Sequence, residues 1–509
     1  MKRAWLLYVL AILVAAFFIS NKTARAQEAT ASLRGVVTDP SGAVIVGANV
    51  TLTNTGTNVV LTTETNATGN YVFPVVPVGT YTLKVDKSGF VTFQQKGIAL
   101  ELNQQGRLDV SLKLGEATQT VEVTGNVAQV DTTSAVLGKV ENQRAINDLP
   151  LVGRDTLQLG LLQAGVFATD PGDGSGNPFS VSGQRSESMT FLVNGADNTD
   201  FLDNNIAVSP NPDAVQEFRI LTNNYDAEYG RTSGGIVNQI TKSGTNKFHG
   251  DVFEFLRNDA LNANDFFLNA AGAPRSPFKR NVFGGTLGGP IKHDKTFFFA
   301  AYQGARRVEG ETSPLLNVLD TAERGGNFGE LCPAASGSSS GFDSSGNCIN
   351  PGGTQLFNPV TGNPYPNDQV PVNPVSANYI AKYLPPPNGP NNTFISSPSA
   401  TTNEDQGILR VDQLLTSRDT LSFNYLVDNS RQIFPFQVIN GASTGGDVPS
   451  GSGFSTNTQD QVGSLAWTHV FANGWTNELR GSINRTATLQ AVPSDKTTPA
   501  QLGFSNVSP

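Results

Sequence analysis

The stretch VQEFRILTNNYDAEYGRTSGGIVNQITKSGTNKFHG, residues 215–250, decides the fold of this 509-residue chain. Its first residues alternate as in a β-strand, with Phe218 and Ile220 on one side and Arg219 and Leu221 on the other. A polar loop follows, and residues 235–240 then form a second apolar strand. Gly234–Gly235 at its start permits backbone conformations or close approaches that a Cβ atom forbids. These features predict a strand–loop–strand unit, which by themselves fit a compact α/β domain equally well.

Four parts of this stretch carry a more specific resemblance: Glu217-Phe218, Tyr229-Gly230, Gly234-Gly235-Ile236-Val237-Asn238 and Thr241-Lys242-Ser243-Gly244. Together they resemble the end of the plug domain of TonB-dependent outer-membrane receptors, and the flanking sequence resembles the Oar-like branch of that family. The resemblance extends from about residue 32 to about residue 485. It implies a mainly β protein with an N-terminal β-sandwich of the carbohydrate-binding-like fold, an α/β plug domain, and the first part of a transmembrane antiparallel β-barrel.

Two further motifs resemble the plug of the same family. Leu149-Pro150-Leu151-Val152-Gly153-Arg154-Asp155 precedes a predicted second helix, residues 154–163, which has Leu157 and Leu161 on one face. A first short helix is predicted at residues 142–148. Asn194-Gly195 stands where the family usually has Asp-Gly, and both pairs form tight turns. The plug residues that the resemblance singles out are Gly153, Arg154, Asn194, Gly195, Tyr229, Gly230, Gly234 and Gly235.

Composition and charge exclude several classes of function. Charged residues make up 15% of the chain, below the roughly 25% usual in soluble domains. The net charge is −9 and no basic run follows the N-terminus, so we expect no nucleic-acid partner. The three histidines, His249, His293 and His469, have no HxxE or HExxH spacing, so the sequence predicts no catalytic zinc site, no cofactor and no enzymatic activity.

The N-terminus predicts export. Lys2-Arg3 precede an apolar run at residues 4–19, and Ala24-x-Ala26 supplies the small residues of a cleavage site, so residues 1–26 read as a signal peptide. The alternative is an uncleaved membrane anchor, for which this run is short. Because no later segment approaches a transmembrane helix, a membrane role requires a β-barrel.

Residues 28–115 predict a small β-sandwich, because short alternating strands such as the one holding Tyr81, Leu83 and Val85 recur between turn signals. The Gly35-Val36-Val37-Thr38-Asp39 and Thr68-Gly69-Asn70-Tyr71 motifs resemble the carboxypeptidase regulatory-like domain. Sugar binding by this domain is an analogy at the level of the fold.

Residues 116–245 contain a candidate segment for energy coupling and then the plug. The extended string Thr120, Val121, Glu122, Val123 and Thr124 resembles a TonB box, which has to add as a strand to the sheet edge of a partner. The alternative is that the string is the last strand of the sandwich or a linker strand. Asp197, Asp200 and Asp203 lack the order of a calcium loop and are expected to be solvated carboxylates.

Residues 246–509 predict the N-terminal part of an Oar-like barrel. We expect strands near residues 247–257, 279–288, 296–304, 406–414, 420–429, 460–470 and 476–486. Short and long connections alternate between them, as periplasmic turns and extracellular loops do. Leu421–Tyr425 alternates apolar and polar residues, as lipid-facing and lumen-facing positions do. Phe297–Phe299 and Tyr302 fit either an interfacial aromatic girdle or an ordinary buried strand.

The third-to-fourth connection holds the only two cysteines of the chain, Cys332 and Cys348. Export into an oxidising compartment and an even cysteine count favour a disulfide between them. The alternatives are a metal site, which lacks nearby histidines, and two free thiols.

The resemblance implies a receptor in the outer membrane that contacts membrane lipid. It binds an oligosaccharide, peptide or chelate at its outer loops and plug, and imports it with energy delivered by a TonB-type energy-transducing protein. The alternatives are a secreted or surface adhesion protein that binds carbohydrate without transport, and an accessory chain of a peptidase. Only seven strands can be counted, where barrels of this family have about 22, so we expect a fragment or a truncated product.

Overall fold

The computed structural model of the protein describes residues 30–115, 120–124, 136–169, 177–225, 229–230, 232–264, 266, 269, 275–310, 316–334, 336–337, 339–394, 399–434, 438–439, 442–443, 454–471, 475–491 and 498–504. The predicted signal peptide and its cleavage after Ala26 lie outside these residues. In the part of the chain that is described, no helix combines the length and the apolar character needed to cross a membrane.

The N-terminal domain is a sandwich of two sheets, as predicted. One sheet has the order β4-β1-β7 with β8 also paired to β1, and the other has the order β3-β2-β5-β6-β9. Tyr81, Leu83 and Val85 are buried between the sheets, which confirms the predicted alternation. The strands are β1 Ala31–Thr38, β2 Asn49–Asn54, β3 Val60–Glu64, β4 Asn70–Val76, β5 Gly79–Asp86, β6 Thr92–Leu100, β7 Gln105–Arg107, β8 Val110–Ser111 and β9 Thr120–Thr124.

The plug that follows is built on a mixed five-stranded sheet with the order β10-β17-β18-β13-β14, in which only β13 and β18 are parallel neighbours. Phe218 and Ile220 face one apolar core and Leu221 faces another, as the alternation predicted. The strands are β10 Leu137–Asn142, β11 Val166–Ala168, β12 Phe179–Val181, β13 Thr190–Val193, β14 Ala196–Asp197, β15 Thr199–Asp200, β16 Asn205–Ile206, β17 Val215–Asn223 and β18 Ile236–Thr241.

One predicted helix of the plug is confirmed and the other is wrong in type. The first is α1, Gln143–Asp148, and the side chain of Asn142 caps it. The second is replaced by two short 3₁₀ helices, Val152–Arg154 and Thr156–Leu162. Three residues per turn rotate position i+4 away from position i, and accordingly Leu157 is buried while Leu161 is 41% exposed. A further 3₁₀ helix covers Pro212–Ala214.

The rest of the chain forms one seven-stranded antiparallel sheet in which neighbours along the chain are neighbours in space. All seven predicted strands lie in it, although most are longer than predicted. Short connections join β20 to β21, β24 to β25 and β28 to β29, and long ones join the other pairs. The strands are β19 His249–Asn258, β20 Phe278–Lys292, β21 Thr296–Gly310, β24 Ser399–Leu414, β25 Asp419–Phe434, β28 Phe454–Val470 and β29 Thr476–Ala491.

The long connections contain small elements of their own. Their strands are β22 Leu316–Asn317, β23 Thr393–Phe394, β26 Val438–Ile439 and β27 Ala442–Ser443. Their helices are α2 Thr321–Arg324, α3 Pro374–Tyr383 and the 3₁₀ helices Asp259–Leu261, Gly329–Leu331 and Pro366–Asp368, and a last 3₁₀ helix, Pro499–Leu502, follows β29.

The large sheet has one face towards the plug and one face away from it. Asn424 is 3% exposed and faces the plug, whereas its neighbours Phe423 and Tyr425 are 40% and 36% exposed on the outer face, which confirms the predicted alternation. The aromatic run of β21 divides in the same way. Phe299 packs in a core shared with the plug, and Tyr302 is 44% exposed on the other side.

Candidate functional site

The predicted Asn194-Gly195 turn lies against the inner wall of the sheet. Both residues have positive φ angles, 49° and 75°, as a tight turn between two antiparallel strands requires. Both polar groups of the Asn194 side chain form hydrogen bonds. Its Nδ2 donates to Thr241 Oγ1 and to Asn424 Oδ1, each at 2.9 Å, and its Oδ1 accepts from the Thr241 N–H at 2.9 Å. One buried amide therefore joins the turn to the plug sheet and to strand β25.

Two arginines of the sheet hold the same turn. The Arg480 guanidinium donates to the Asn194 carbonyl, and a Cβ atom on Gly195 would lie 3.0 Å from it, so only glycine fits here without displacing the arginine. Arg410 donates to the Thr241 carbonyl at 2.7 Å. Each arginine is also paired within its own strand, Arg410 with Asp412 at 2.8 Å and Arg480 with Glu478 at 2.6 Å.

These ion pairs are held in place by hydroxyl groups. Ser243 Oγ and Ser422 Oγ donate to the Asp412 carboxylate at 2.6 and 2.7 Å. Ser243 lies in the polar turn that leaves the plug, so one carboxylate bonds to both sides of the interface. Charged pairs with this degree of shielding require partners for every group, because an unpaired buried charge is costly. We call the contacts of Asn194, Arg410 and Arg480, together with those of Arg154 below, the plug–barrel seam.

Arg154 forms the second half of the seam. Its guanidinium stacks over the rings of Phe253 and Phe255, with centroid distances of 4.6 and 4.3 Å, and donates to Gln303 Oε1 at 3.3 Å. It also pairs with Asp213 of the plug. Burial lowers the pKa of Arg154 and raises the pKa of Asp213, and the attraction between the two charges opposes both shifts. The pair is largely shielded from water, with both side chains about 15% exposed.

Backbone contacts of the plug reinforce the seam on either side. The Gly153 carbonyl accepts from Arg280 Nη2 of β20 at 2.6 Å. Gln406 of β24 is buried and bonds to the backbone of two plug residues, through Nε2 to the Ser209 carbonyl and through Oε1 from the Asn211 N–H, both at 2.8 Å. Strands β20, β21 and β24 thus each carry a polar side chain that forms a hydrogen bond with the plug.

The other plug motif residues have local roles. A Cβ atom on Gly234 would lie 2.4 Å from the Ser188 carbonyl oxygen, and one on Gly235 would lie 2.7 Å from a methyl carbon of Val181. These two glycines are therefore required because other atoms approach them closely, and not because of an unusual backbone angle. Tyr229 is buried and its hydroxyl bonds to Asn103 of the sandwich. A Cβ atom on Gly230 would meet nothing within 4 Å.

The candidate TonB box, Thr120–Thr124, is strand β9 at the edge of the larger sandwich sheet. It pairs in parallel with β6, from Thr92 opposite Thr120 to Lys96 opposite Thr124. This is the geometry of the alternative interpretation, a last strand of the sandwich. It is also compatible with strand addition to a partner, because β9 has an outer edge.

The long β21–β24 connection brings Cys332 and Cys348 together. They form a disulfide with Cα atoms 5.8 Å apart. Cys332 is buried, although the surrounding segment is rich in glycine and serine.

Acidic and metal-binding candidates lie elsewhere than at the seam. Asp197 accepts the Thr199 N–H and Asp200 accepts the Leu202 N–H, each at 3.0 Å, so both cap local turns. Within the described residues, no three His, Cys, Asp or Glu side chains are grouped so as to hold a metal ion.

Sequence reasoning missed the sheet residues of the seam. Arg410 and Arg480 gave a usable signal, because each follows an apolar residue that faces outward, Leu409 or Leu479. Gln406 lies between Asp405 and Gly407 and gave none. Their partners were not visible, since Asn194 lies more than two hundred residues earlier in the chain. Glu217 was recognised only as part of a motif, yet it is a buried carboxyl at the contact with the sandwich.

Comparison with known proteins agrees with this architecture. Residues 240–509 match a family described as an outer membrane beta barrel domain, and residues 32–113 match the carboxypeptidase regulatory-like domain. The chain is 30% identical over 303 residues to the TonB-dependent transporter Oar of Myxococcus xanthus, a match that covers 57% of this chain and 28% of that protein. The chain thus spans less than a third of the length of that relative.

Two solved structures are similar over part of the chain. The outer membrane transporter YddB from Escherichia coli is 11% identical, with a TM-score of 0.41, over 68% of this chain and 38% of its own. A mutant of the ferric enterobactin receptor from Pseudomonas aeruginosa is 12% identical, with a TM-score of 0.40, over 69% of this chain and 41% of its own.

Proposed function

The chain belongs to the outer membrane beta barrel domain family, and from this premise we propose that the protein is a TonB-dependent receptor that imports a substrate across the outer membrane. Residues 1–26 direct export, residues 28–115 form the sandwich, residues 116–245 carry the coupling segment and the plug, and residues 246–509 belong to the barrel. The relative from Myxococcus xanthus, described as a TonB-dependent transporter, supports this function.

The observation that carries the proposal is the seam. A folded domain lies on the inner wall of the sheet and is held there by shielded ion pairs and hydrogen bonds, among them Arg480 to the Asn194 carbonyl and Arg154 to Asp213. A domain fixed in this way obstructs the lumen, and its release costs free energy because buried polar groups lose their partners. An external source of energy is therefore needed for each transport event.

The proposed partner supplies that energy through the coupling segment. A TonB-type protein pairs with Thr120–Thr124 by strand addition and pulls on this segment. The tension reaches the plug through the chain that connects this segment to β10. The substrate, an oligosaccharide, peptide or chelate, binds at the long connections and the outer side of the plug. No residue of the seam has to perform covalent chemistry in this mechanism.

Cell fractionation and partner capture test the proposal in the full-length protein. We expect the protein in the outer-membrane fraction, and we expect it to co-purify with the TonB-type protein of the same cell. Val121→Pro removes an N–H that strand pairing needs and restricts the preceding residue, so it should abolish co-purification. Val121→Thr keeps the N–H and a β-branched side chain and should preserve it.

Two outcomes would contradict this function. A soluble secreted product would favour the adhesion alternative. Equal co-purification of the proline and threonine variants would show that the partner does not pair with this segment.

A further inference from the structure

The sandwich touches the barrel sheet through one hairpin loop. Gly56 and Thr57, between β2 and β3, lie against Asn246 in the polar turn before β19, and Asn58 lies against Asp294 in the short turn between β20 and β21. Asn246 donates its N–H to the Gly56 carbonyl at 3.0 Å and its Nδ2 to the Thr57 carbonyl at 2.8 Å. Asn58 Nδ2 donates to Asp294 Oδ1 at 3.2 Å. Because short turns face the periplasm in outer-membrane barrels, this contact is at the periplasmic end.

A second loop of the sandwich touches the plug. The Leu102 N–H donates to Glu217 Oε2 at 2.7 Å, and the Leu102 carbonyl accepts from the Arg219 guanidinium. Asn103 bonds to the Tyr229 hydroxyl beside them. Leu102 is fully buried and Glu217 is 6% exposed. The sandwich is therefore docked at two separate points, once on the barrel and once on the plug.

Between these two points the sandwich forms one side of a small, partly open pocket, which we call the chamber. The chamber has a volume of about 210 Å³ and lies between the sandwich, the plug and the inner wall of the sheet. Sites that enclose ligands of ordinary size measure about 300–1,000 Å³, so a short oligosaccharide or peptide does not pass through it as it stands. The lining includes Val59, Leu61 and Tyr81 of the sandwich, Ile240 of the plug, and Phe297 and Thr420 of the sheet.

We propose that the sandwich is a lid on the periplasmic mouth, and that it has to leave both docking points before a substrate can emerge. This inference rests on the proposed function, because it assigns the lid to an import pathway. It gives the sandwich a role in gating that does not require it to bind sugar.

The position of β9 connects the lid to the energy source. β9 is paired to β6 and so belongs to the sandwich sheet. A partner that pulls on Thr120–Thr124 consequently pulls on the sandwich as well as on the plug. At the barrel docking point Asn58 and Asp294 are exposed, so their hydrogen bond exchanges readily with water and the sandwich leaves this point before the seam opens.

Thiol labelling of the chamber tests the lid without knowledge of the substrate. We replace Thr420, which lines the chamber, by cysteine in the full-length protein and measure its reaction with biotin-maleimide after the outer membrane is permeabilised. Labelling should be slow in otherwise unchanged protein. Asn246→Ala removes the amide bonds to Thr57 and Asp294 and should raise the rate at least about tenfold. Asn477→Ala, at the same end of the sheet on its exposed face, is the matched control and should leave the rate unchanged.

A reversible lock tests whether the lid moves when the protein is energised. Asn58→Cys with Asp294→Cys places two thiols where the side chains now touch, and oxidation should join them. Labelling of Thr420→Cys should be faster in cells that contain the TonB-type protein than in cells that lack it. Oxidation should abolish this difference, and a reductant should restore it.

The outcomes separate the lid from the receptor function. Fast labelling at rest, or no effect of Asn246→Ala, overturns the lid. Labelling that does not respond to the TonB-type protein overturns lid opening, while co-purification with that protein still supports the receptor. Loss of co-purification overturns the receptor function, and the Asn246→Ala and lock experiments then still decide whether the sandwich closes the chamber.

Discussion

The plug and the sandwich are both attached to the barrel sheet, but by different means. At the seam, side chains of the sheet reach into the plug: the Arg410 and Arg480 side chains are 17% and 14% exposed and each is paired with a carboxylate of its own strand. At the barrel docking point of the sandwich, loops meet loops and partners such as Asp294 remain accessible. Hydrogen bonds that exchange with water contribute little net free energy, whereas breaking shielded ones leaves charges without partners. In the proposed mechanism this difference sets an order of release at the sheet, with the barrel docking point of the sandwich first and the seam second.

The largest effect on this order should come from Arg154→Ala. The change leaves Asp213 without its cation in a site where both side chains are about 15% exposed, and it should destabilise the plug by about 3 kcal/mol. Hydrogen exchange of strands β10, β17 and β18 in the solubilised protein measures this loss. Arg144→Ala is the control, because Arg144 and Asp148 form an exposed pair on α1 that is worth less than about 0.5 kcal/mol. Equal exchange rates in the two variants would show that the seam does not hold the plug.

Two glycines of one motif provide the next comparison. Gly234→Ala places a Cβ atom 2.4 Å from the Ser188 carbonyl oxygen and should cost the plug about 2 kcal/mol through forced backbone movement. Gly230→Ala meets open space and should be close to neutral. The same exchange measurement decides it, and a neutral Gly234→Ala would mean that the plug adjusts there without cost.

The docking of the sandwich on the plug should depend on pH. Burial raises the pKa of Glu217 to about 8, and the nearby Glu101 carboxylate adds to the shift, while the Leu102 N–H and Arg219 oppose it. Between the ordinary value of 4.5 and about 8, the docked form keeps a proton that the undocked form loses. Docking is therefore strongest below the ordinary value and weakens as the pH rises to about 8.

Glu217→Gln should remove the larger share of this dependence, because it keeps an oxygen for the Leu102 N–H and carries no charge. Glu101, whose pKa burial also raises, contributes a smaller trend in the same direction. The measurement is labelling of Thr420→Cys across this pH range, with each rate divided by that of the same protein after denaturation at the same pH, which corrects for ionisation of the thiol. A glutamine variant with the dependence of the parent would assign the effect to another group.

The smallest effect on either attachment should come from the loop cysteines. Thiol labelling of unreduced, denatured protein should find no reactive cysteine, and two per chain would contradict the disulfide. Replacing both by serine removes a closure of roughly 15 residues, worth about 3 kcal/mol to the loop itself. Hydrogen exchange of the plug and labelling of the chamber should change by less than about 0.5 kcal/mol, since the loop lies at the opposite end of the sheet from the sandwich.

Local patterns in the sequence predicted the fold well. The alternation of Phe423, Asn424 and Tyr425 gave both the strand and its two faces, because a strand turns successive side chains to opposite sides. The short helix predicted at residues 142–148 is α1, and in the structure the Asn142 side chain satisfies a free N–H at its start. The resemblance supplied the order of the domains, which alternation alone does not contain.

The contacts between distant segments could not be predicted in the same way. Nothing near Arg154 indicates that Phe253 and Phe255 lie beneath it, a hundred residues later. The aromatic run of β21 illustrates the same limit: alternation places Phe299 and Tyr302 on opposite faces, but it does not indicate which face packs against the plug. The two interpretations of Thr120–Thr124 likewise differ only in which sheet edge the strand joins, and that is a property of the folded protein.

The β21–β24 connection has a consequence for how proteins of this family diversify. Its fold is determined by local contacts: the side chains of Asp320 and Glu323 form a capping box at the start of α2, and the side chains of Asp343 and Asn358 each close a turn on their own neighbours. A disulfide fastens the middle. A segment that folds on its own contacts can be exchanged between related proteins, or drift in sequence, while the seam keeps its partners. Selection can therefore change the sequence of this connection without rebuilding the seam.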